Sequence, residues 1–436
     1  MVPFSDRSRH AFVGDSITHV GLYGCYVELF YQTRYPAATR EFLNLGIAGD
    51  TASGGLQRSA WDLFPAQPNS ASLLFGMNDV DRDLYKTDSA GSDLAESRRR
   101  RIADYEESTG EFIKKLQAAN MQVILVTPSI YDETAVVDAP NLPGVNRIAL
   151  NECARVVLDL GRQFGLPVVD FFHPMMEINL RQQKEDAGFT LIGPDRVHPG
   201  APGHLVMAWL FLRAQNVTPT ISRISLNATT GKMEESANCT VDELQANRNG
   251  VRFRYHARAL PFPIDDPAKS ALAWGSIMED LNQEILRVVG LEPGSYRLRI
   301  DADEIRTFAA EELSAGVNLA AGEPTPQYRQ AQKVLHLAQE RWATVVTLRD
   351  ILFVENGTMG ANTPRPLSFE QVEPRLEERI REITGGPSEP YHRQMIKNYV
   401  VNKPQETEFV RKAAELRDAI RQASQPISRL FELIPA

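Results

Sequence analysis

A serine follows the first hydrophobic run of the chain, in the stretch AFVGDSITHVGLYG at residues 11–24. A hydroxyl is a weak nucleophile by itself, because it needs a base, a group that orients the base, and hydrogen-bond donors for the oxyanion. Ser16 is also well placed to cap a helix, and a lone Gly-Asp-Ser sequence favours the cap. The rest of the chain must therefore decide between nucleophile and cap.

A candidate base and its orienting group occur together in GPDRVHPGAPGH, residues 193–204. Asp195 can hydrogen-bond one ring nitrogen of His198, fix the tautomer, and leave the other nitrogen to act as a base. A surface Asp–His pair is the alternative interpretation. His204 has no adjacent orienting residue, so we expect it on the surface of a first helical turn or buried with a hydrogen bond. We expect no chemical role for His19 and His173.

Candidate oxyanion donors follow two further hydrophobic runs. Gly49 ends the second strand, in EFLNLGIAGD, and opens a turn, where a glycine lets a substrate oxygen approach the backbone N–H closely. Asn78, in FGMND, offers a neutral side-chain amide suited to a developing oxyanion. With the Ser16 N–H they give three donors at successive strand ends, although both residue types are also common in turns. The neighbouring Asp15 and Asp79 are predicted to be structural hydrogen-bond acceptors.

The first half of the chain alternates short apolar runs with amphipathic helical stretches, which is typical of an α/β fold with a doubly wound parallel sheet. Strands are predicted in HAFVGDS, EFLNLGIAGD, SASLLFGMND, MQVILVTPS and LPVVDFF. Helices are predicted at about 23–34, 55–64, 97–119, 146–165 and 201–215. Open parallel sheets bind ligands at the carboxyl ends of their strands, where Ser16, Gly49 and Asn78 would lie.

Four stretches, GDSIT, NLGIAGDT, FGMND and DRVHP, resemble in order and spacing the four blocks of the SGNH, or GDSL-type, serine hydrolase family. The resemblance covers about residues 10–215 and implies a flavodoxin-like three-layer α/β/α sandwich, with no metal or organic cofactor. It implies that Ser16 is the nucleophile and that Asp195 and His198 complete a catalytic triad. It further implies an oxyanion hole formed by Ser16, Gly49 and Asn78.

After about residue 217 the pattern changes. GVRFRYHARAL and GSYRLRIDADEI alternate apolar and polar residues, which predicts antiparallel strands with a hairpin turn at 301–303. Asp301, Asp303 and Glu304 could also suggest calcium, but they lack the loop pattern of a calcium hand, so the turn is favoured.

Helices are then predicted from Thr325-Pro326, from Ser368 to Gly385, and at about 405–432. We therefore expect a hydrolase domain at 1–217, a small β-containing region at 218–320 and a helical region at 321–436. This second half resembles accessory regions of long bacterial members of the family that act on carbohydrates. We expect it to pack over the site or to build a homo-oligomer.

Composition excludes several functional classes. The 436 residues carry a net charge of −9, which disfavours binding to a phosphate backbone, so no nucleic-acid partner is expected. The three cysteines are far apart and fit neither a disulfide framework nor a metal motif. No run is long enough to span a membrane. The opening MVPFSDRSRH lacks the apolar core of a signal peptide, and the compartment is left open.

These features together predict a serine ester hydrolase that acts on a small-molecule or carbohydrate ester through an acyl-enzyme. Carbohydrate O-acetylesterase is the favoured activity, because no apolar lid helix flanks the predicted site. A lipolytic esterase or thioesterase of the same family is the first alternative. A binding protein that keeps the fold but has lost catalysis is the second.

Overall fold

The computed structural model describes residues 1–86, 92–321, 324–386 and 388–436. Its first half contains a parallel five-stranded sheet with strand order β2-β1-β3-β4-β5, covered by helices, as the sequence predicts. The strands are β1 (Arg9–Gly14), β2 (Glu41–Gly46), β3 (Ser70–Leu74), β4 (Gln122–Val126) and β5 (Val168–Val169). The helices are α1 (Ser16–His19), α2 (Leu22–Arg34), α3 (Ala52–Arg58), α4 (Ser92–Ala118), α5 (Asn151–Phe164), α6 (Phe172–Gln182) and α7 (Ala201–Ala214).

The sheet is buried on both faces, which explains why its strands read as continuous apolar runs. Every residue of β3 is buried, and β1 is buried from His10 to Gly14. This strand order is the flavodoxin-like one, in which ligands bind at the carboxyl ends of the strands on either side of β1. The sequence prediction finds all five strands and misses only α6 among the longer helices of this half.

The second half contains two further sheets, with strand orders β13-β10-β6-β7 and β12-β11-β14-β9-β8. They share one hydrophobic core, which includes Phe253, Leu286 and Phe431. The strands are β6 (Thr220–Asn227), β7 (Lys232–Ala237), β8 (Cys239–Asn247), β9 (Gly250–Ala257), β10 (Gln283–Val289), β11 (Ser295–Ile300), β12 (Asp303–Ala309), β13 (Val317–Asn318) and β14 (Arg429–Pro435).

The predicted hairpin lies between β11 and β12, which pair in antiparallel fashion. Asp301 occupies the turn with a φ of 54°. Its carboxylate accepts hydrogen bonds from the Arg429 guanidinium at 3.0 Å and from the Leu430 N–H at 2.9 Å. Asp301 is therefore a structural acceptor that ties the turn to β14, in line with the favoured interpretation over calcium.

The last predicted helix is too long at its C-terminal end. The helix ends at Ala423, and residues Arg429–Pro435 instead form β14, the middle strand of the five-stranded antiparallel sheet. Ile427, which falls within the predicted helix, is 57% exposed, whereas Phe431 and Leu433 are buried with a period of two. The strand is short and comes soon after the helix, so its alternation is too brief for the sequence pattern to separate the two elements.

The remaining helices are α8 (Ile277–Leu281), α9 (Ala310–Ala315), α10 (Pro326–Met359), α11 (Phe369–Ile383), α12 (Glu389–Asn402) and α13 (Glu406–Ala423). The N-terminal half of α10 buries Ala331, Leu335 and Trp342 in the core of the α/β sandwich. Its C-terminal half packs with α11 and α12 in a separate cluster around Ile351 and Leu376. Long helix α10 thus connects the two halves of the chain. Within the described ranges, no helix has the length and apolarity to cross a membrane.

Candidate active site

The structure brings together three polar side chains that are far apart in the sequence. Ser16 follows β1, and His198 and Asp195 lie in the loop before α7. Ser16 Oγ lies 2.8 Å from His198 Nε2, and His198 Nδ1 lies 2.5 Å from Asp195 Oδ2. A hydroxyl, an imidazole and a carboxylate are thus hydrogen-bonded in series, the arrangement in which a serine hydroxyl can be activated.

The carboxylate fixes which ring nitrogen carries the proton. Burial disfavours the charged form of Asp195, but hydrogen bonds from the His198 ring and from the N–H groups of His198 and Val197 lower its pKa to about 2. Asp195 is therefore ionised at neutral pH and accepts the Nδ1 proton. Nε2 of the neutral ring then faces the Ser16 hydroxyl as an acceptor.

Ser16 is not the cap of the helix that it begins. Asp15 is the N-cap of α1, because its Oδ1 accepts the Ile17 N–H at 3.0 Å, and Ser16 is the first residue inside the helix. The hydroxyl is left free to bond His198. The sequence left Ser16 as either a nucleophile or a helix cap. In the structure Asp15 is the cap.

Asp15, the residue before Ser16, has a strongly raised carboxyl pKa. It is buried, and burial together with the nearby Asp79 and Asp50 charges raises its pKa from 3.8 to about 7, against the Ile17 N–H. A folded-state pKa above the unfolded value means that the folded protein keeps a proton that the unfolded chain loses. The free energy of unfolding should therefore fall as pH rises from about 4 to about 7.

An Asp15→Asn protein is expected to escape this loss, because asparagine also caps helices but does not titrate. It should match the wild type near pH 4 and exceed its free energy of unfolding by roughly 2 kcal/mol or more near pH 8. Urea unfolding at both pH values measures the difference. Asp266→Asn, at a side chain that is 89% exposed, is the control and should show no such pH dependence. An equal effect of Asp15→Asn at both pH values would contradict the assignment.

Gly49 and Asn78 follow β2 and β3 and line the same cavity as Ser16. Gly49 has a φ of +76°, which requires glycine, while a Cβ there would meet nothing within 4 Å. Its N–H has no hydrogen-bond partner within the described ranges. Backbone conformation rather than crowding is therefore the reason for this glycine, and its N–H is available to a ligand.

The Asn78 amide is held in a fixed orientation. Its Nδ2 donates to Asp50 O at 2.9 Å, and its Oδ1 accepts from Arg82 Nη1 at 3.3 Å. An amide nitrogen carries two hydrogens, so one remains for a ligand. The neighbouring Asp79 accepts the N–H groups of Ala52 and Gly76, both at 2.9 Å, as expected of a structural acceptor.

The sequence predicts no chemical role for His19. In the structure this residue lines the cavity and joins the two halves of the chain. Its Nδ1 accepts the Ala48 N–H at 3.0 Å, so Nε2 carries the proton and donates to Asp350 Oδ1 of α10 at 3.0 Å. Ala48 immediately precedes Gly49. A residue of the second half thereby helps to hold the turn that presents the Gly49 N–H.

A buried ion network lies behind this turn. Arg58 donates to Asp50 at 2.7 Å and forms an ion pair with Asp62. Arg349 of α10 binds both oxygens of Asp62, at 2.6 and 2.7 Å, and donates through Nε to Gly46 O at 2.9 Å. Burial raises the pKa of Asp62, but the two guanidinium groups outweigh it and hold the pKa below its ordinary value. Asp62 is therefore ionised between the two guanidinium groups at neutral pH.

The other two histidines considered in the sequence make no hydrogen bond to Ser16, His198 or Asp195 within the described ranges, although His204 is part of the cavity lining. His204 is fully buried rather than on the helix surface, and its ring stacks on Tyr23 at 6.2 Å. Burial lowers its pKa to about 3, so it is neutral, and neither ring nitrogen has a hydrogen-bond partner within the described ranges. His173, on α6, lies with its Nδ1 2.8 Å from Oδ2 of Asp170, which precedes the helix.

A cavity of about 1130 Å³ lies over the carboxyl ends of the strands and has walls from both halves of the chain. One wall contains Ser16, Gly49, Asn78, Asp195 and His198. The other comes from α10, α11 and α12 and includes Asp350, Phe353, Arg379 and Tyr391. The second half thus packs over the site, one of the two arrangements expected for it. Its assembly into an oligomer stays a prediction.

Comparison with known proteins defines the class of the first half. Residues 12–206 match the model of the GDSL-like lipase/acylhydrolase family, so this part of the chain is a GDSL-like lipase/acylhydrolase domain. The resemblance seen in the four sequence blocks is confirmed, and the chain is a carboxylic ester hydrolase.

Two relatives show how far the similarity extends. An acetylxylan esterase of Geobacillus stearothermophilus is 26% identical over 219 residues, which cover 46% of this chain and 91% of that protein. The solved structure of BT4096, a gut microbial diltiazem-metabolizing enzyme, is 28% identical with a TM-score of 0.87 and covers 100% of this chain and 99% of its own. The second similarity includes the C-terminal helices that form a wall of the cavity.

Proposed function

We propose that this protein is a serine esterase that removes acetyl groups from carbohydrates through a Ser16–His198–Asp195 triad and an acyl-enzyme. The observation that carries the proposal is the hydrogen-bonded series from the Ser16 hydroxyl through the His198 ring to the ionised Asp195 carboxylate. Two donors that follow the strands on either side of β1, the Gly49 N–H and the Asn78 amide, line the same cavity.

The first half-reaction forms the acyl-enzyme. Ser16 Oγ attacks the ester carbonyl carbon while His198 Nε2 takes the hydroxyl proton, and Asp195 stabilises the imidazolium that results. The N–H groups of Ser16 and Gly49 and the Asn78 amide stabilise the tetrahedral oxyanion; losing one such donor typically costs about a hundredfold to a thousandfold in rate. The intermediate collapses, and His198 gives its proton to the leaving sugar hydroxyl.

The second half-reaction releases the acid. Water enters where the alcohol left, His198 takes one of its protons, and the hydroxide adds to the acyl carbon in the same oxyanion site. Collapse of this second intermediate breaks the bond to Ser16 Oγ and returns the proton to the serine. Acetic acid leaves and loses its proton to water as acetate, and the Ser16 hydroxyl and the neutral His198 ring are restored.

Support for a carbohydrate acetyl ester comes from the relative that covers most of the hydrolase domain, which is an acetylxylan esterase. The cavity supports it as well, because about 1130 Å³ is far more than an acetyl group needs and leaves room for a bulky alcohol. The full-length structural neighbour metabolizes diltiazem, so this compound belongs among the test substrates.

Acetate release from acetylated xylo-oligosaccharides, compared with diltiazem and with p-nitrophenyl acetate, butyrate and octanoate, tests the substrate. We expect acetyl esters to be hydrolysed with the highest kcat/KM and acetate to be released from the acetylated sugars. A steady gain in kcat/KM with acyl chain length would instead favour the lipolytic esterase or thioesterase. A fluorophosphonate probe should label Ser16, and an unlabelled Ser16 would favour the catalytically silent binding protein.

A further inference from the structure

The wall that the C-terminal helices add to the cavity carries three rings that contact one another, and one of them meets the His19 ring of α1. The ring of His19 lies 6.5 Å from that of Phe353 on α10. Phe353 in turn lies 5.4 Å from the His392 ring, which it stacks on, and 5.7 Å from the Tyr391 ring. Burial and the nearby Arg379 lower the pKa of His392, so this ring is neutral at pH 7. Phe353, His392 and Tyr391, the last two in the first turn of α12, line the same cavity as Ser16.

Tyr391 is not required to fill a core. It is 47% exposed, although large aromatic side chains at a domain surface usually find cover. Its ring contacts Phe353 and His392 on one side and faces the cavity, whose lining includes it. A flat ring held by two others and open to a cavity is suited to cover one face of a cyclic ligand.

Charged groups with free hydrogen-bonding capacity lie beside these rings. Asp350 uses Oδ1 for His19, its side chain is 26% exposed, and its Oδ2 has no partner within the described ranges. Arg379 binds Glu382 through one nitrogen at 3.0 Å and is 27% exposed. Its guanidinium therefore keeps further donors. A carboxylate accepts from hydroxyl groups and a guanidinium donates to them, so the two suit a ring that carries neighbouring hydroxyls.

We propose that Phe353, Tyr391 and His392, with Asp350 and Arg379, form a subsite for the alcohol part of the ester, and that this subsite binds a sugar ring adjacent to the acetylated sugar. The subsite rests on the proposed esterase function, because it is defined by its position in the cavity of Ser16. It assigns a role to the second half of the chain: the C-terminal helices select the alcohol, while the α/β domain performs the chemistry.

A ratio of activities tests the subsite. For each protein, kcat/KM on an acetylated xylobiose is divided by kcat/KM on methyl acetate, whose alcohol is too small to reach α12. Tyr391→Ala should lower this ratio about tenfold, chiefly through KM on the sugar ester. Tyr391→Phe keeps the ring and should preserve most of the ratio. Val401→Ala changes a residue on the same helix that is 63% exposed and lies outside the cavity lining, and should leave the ratio at the wild-type value.

Direct binding separates this subsite from the chemistry. The Ser16→Ala protein should bind acetylated xylobiose without hydrolysing it, and adding Tyr391→Ala should raise the Kd by calorimetry about tenfold. An unchanged ratio together with an unchanged Kd would overturn the subsite. If the Ser16→Ala protein still releases acetate at the wild-type rate, the proposed Ser16 nucleophile and its triad fail instead, whatever Tyr391 does. Thermal unfolding midpoints of all variants confirm that each is folded.

Discussion

A Ser16→Ala protein is expected to lose activity on acetyl esters on the order of 10⁶-fold in kcat, the usual cost of removing a triad nucleophile. The loss is large because His198 and the oxyanion donors have no covalent step to assist once the hydroxyl is gone. Acetate release under single-turnover conditions measures it. Since Ser16 is partly exposed and makes one side-chain hydrogen bond, to His198, the variant should fold normally.

His198→Ala should cost about as much as Ser16→Ala, and the double variant hardly more than either, since the residues act as one unit. Asp195→Ala should cost less, roughly 10⁴-fold, because the histidine can still act without its orienting partner. Ser295→Ala, at an exposed serine of β11, is the matched control. Wild-type hydrolysis by the Ser16→Ala protein would refute the triad.

Arg349→Met is expected to produce the second largest effect, a loss of about 3–5 kcal/mol in the free energy of unfolding. The change removes both hydrogen bonds from Arg349 to Asp62 and leaves a buried carboxylate with Arg58 as its remaining cationic partner. Because these guanidinium groups hold the Asp62 pKa below its ordinary value, their stabilising effect is present at neutral pH and fades as pH falls through the acid range. Urea unfolding at neutral pH measures the difference.

The activity of Arg349→Met should fall as well, because Arg349 holds Gly46 O at the end of β2, just before the turn that presents Gly49. Arg411→Met is the matched control. Arg411 forms two ion pairs on α13, but its side chain is 58% exposed, so its loss should cost no more than about 1 kcal/mol. A loss for Arg349→Met as small as that of the control would contradict the importance of the buried network.

Most of the α/β half could be predicted from the sequence alone, for physical reasons. Parallel strands that are covered on both faces are continuous apolar runs. Even β5, which has only two residues, could be predicted because it lies in the largely apolar stretch LPVVDFF. The candidate triad could be named because GDSIT and DRVHP, together with NLGIAGDT and FGMND, resemble the blocks of one hydrolase family, although Gly-Asp-Ser alone favours a helix cap. What local pattern could not settle was that Asp15 rather than Ser16 caps α1, since both residue types cap helices equally well.

Parts of the second half, and its wall of the cavity, could not be predicted. Strand β7 is exposed at five of its six positions, so it has no alternation of apolar and polar residues to read. Asp350, Arg379 and Tyr391 belong to no motif, and helical periodicity describes only the face that each helix buries. Their position over Ser16 depends on how α10 crosses from one half to the other, which is a tertiary contact rather than a local preference.

Strand β14 has a consequence for the order in which the molecule can fold. It pairs with β9 on one side and β11 on the other, so residues 429–435 occupy the middle of a sheet whose other strands were synthesised well over a hundred residues earlier. Until this strand inserts, β9 and β11 each have an open edge, and such edges are prone to pair with other chains. During translation the α/β half can acquire its sheet early. The five-stranded antiparallel sheet of the second half stays incomplete until residue 435 has left the ribosome. A chaperone that shields open strand edges would therefore act longest on the C-terminal β region, which carries none of the proposed catalytic residues.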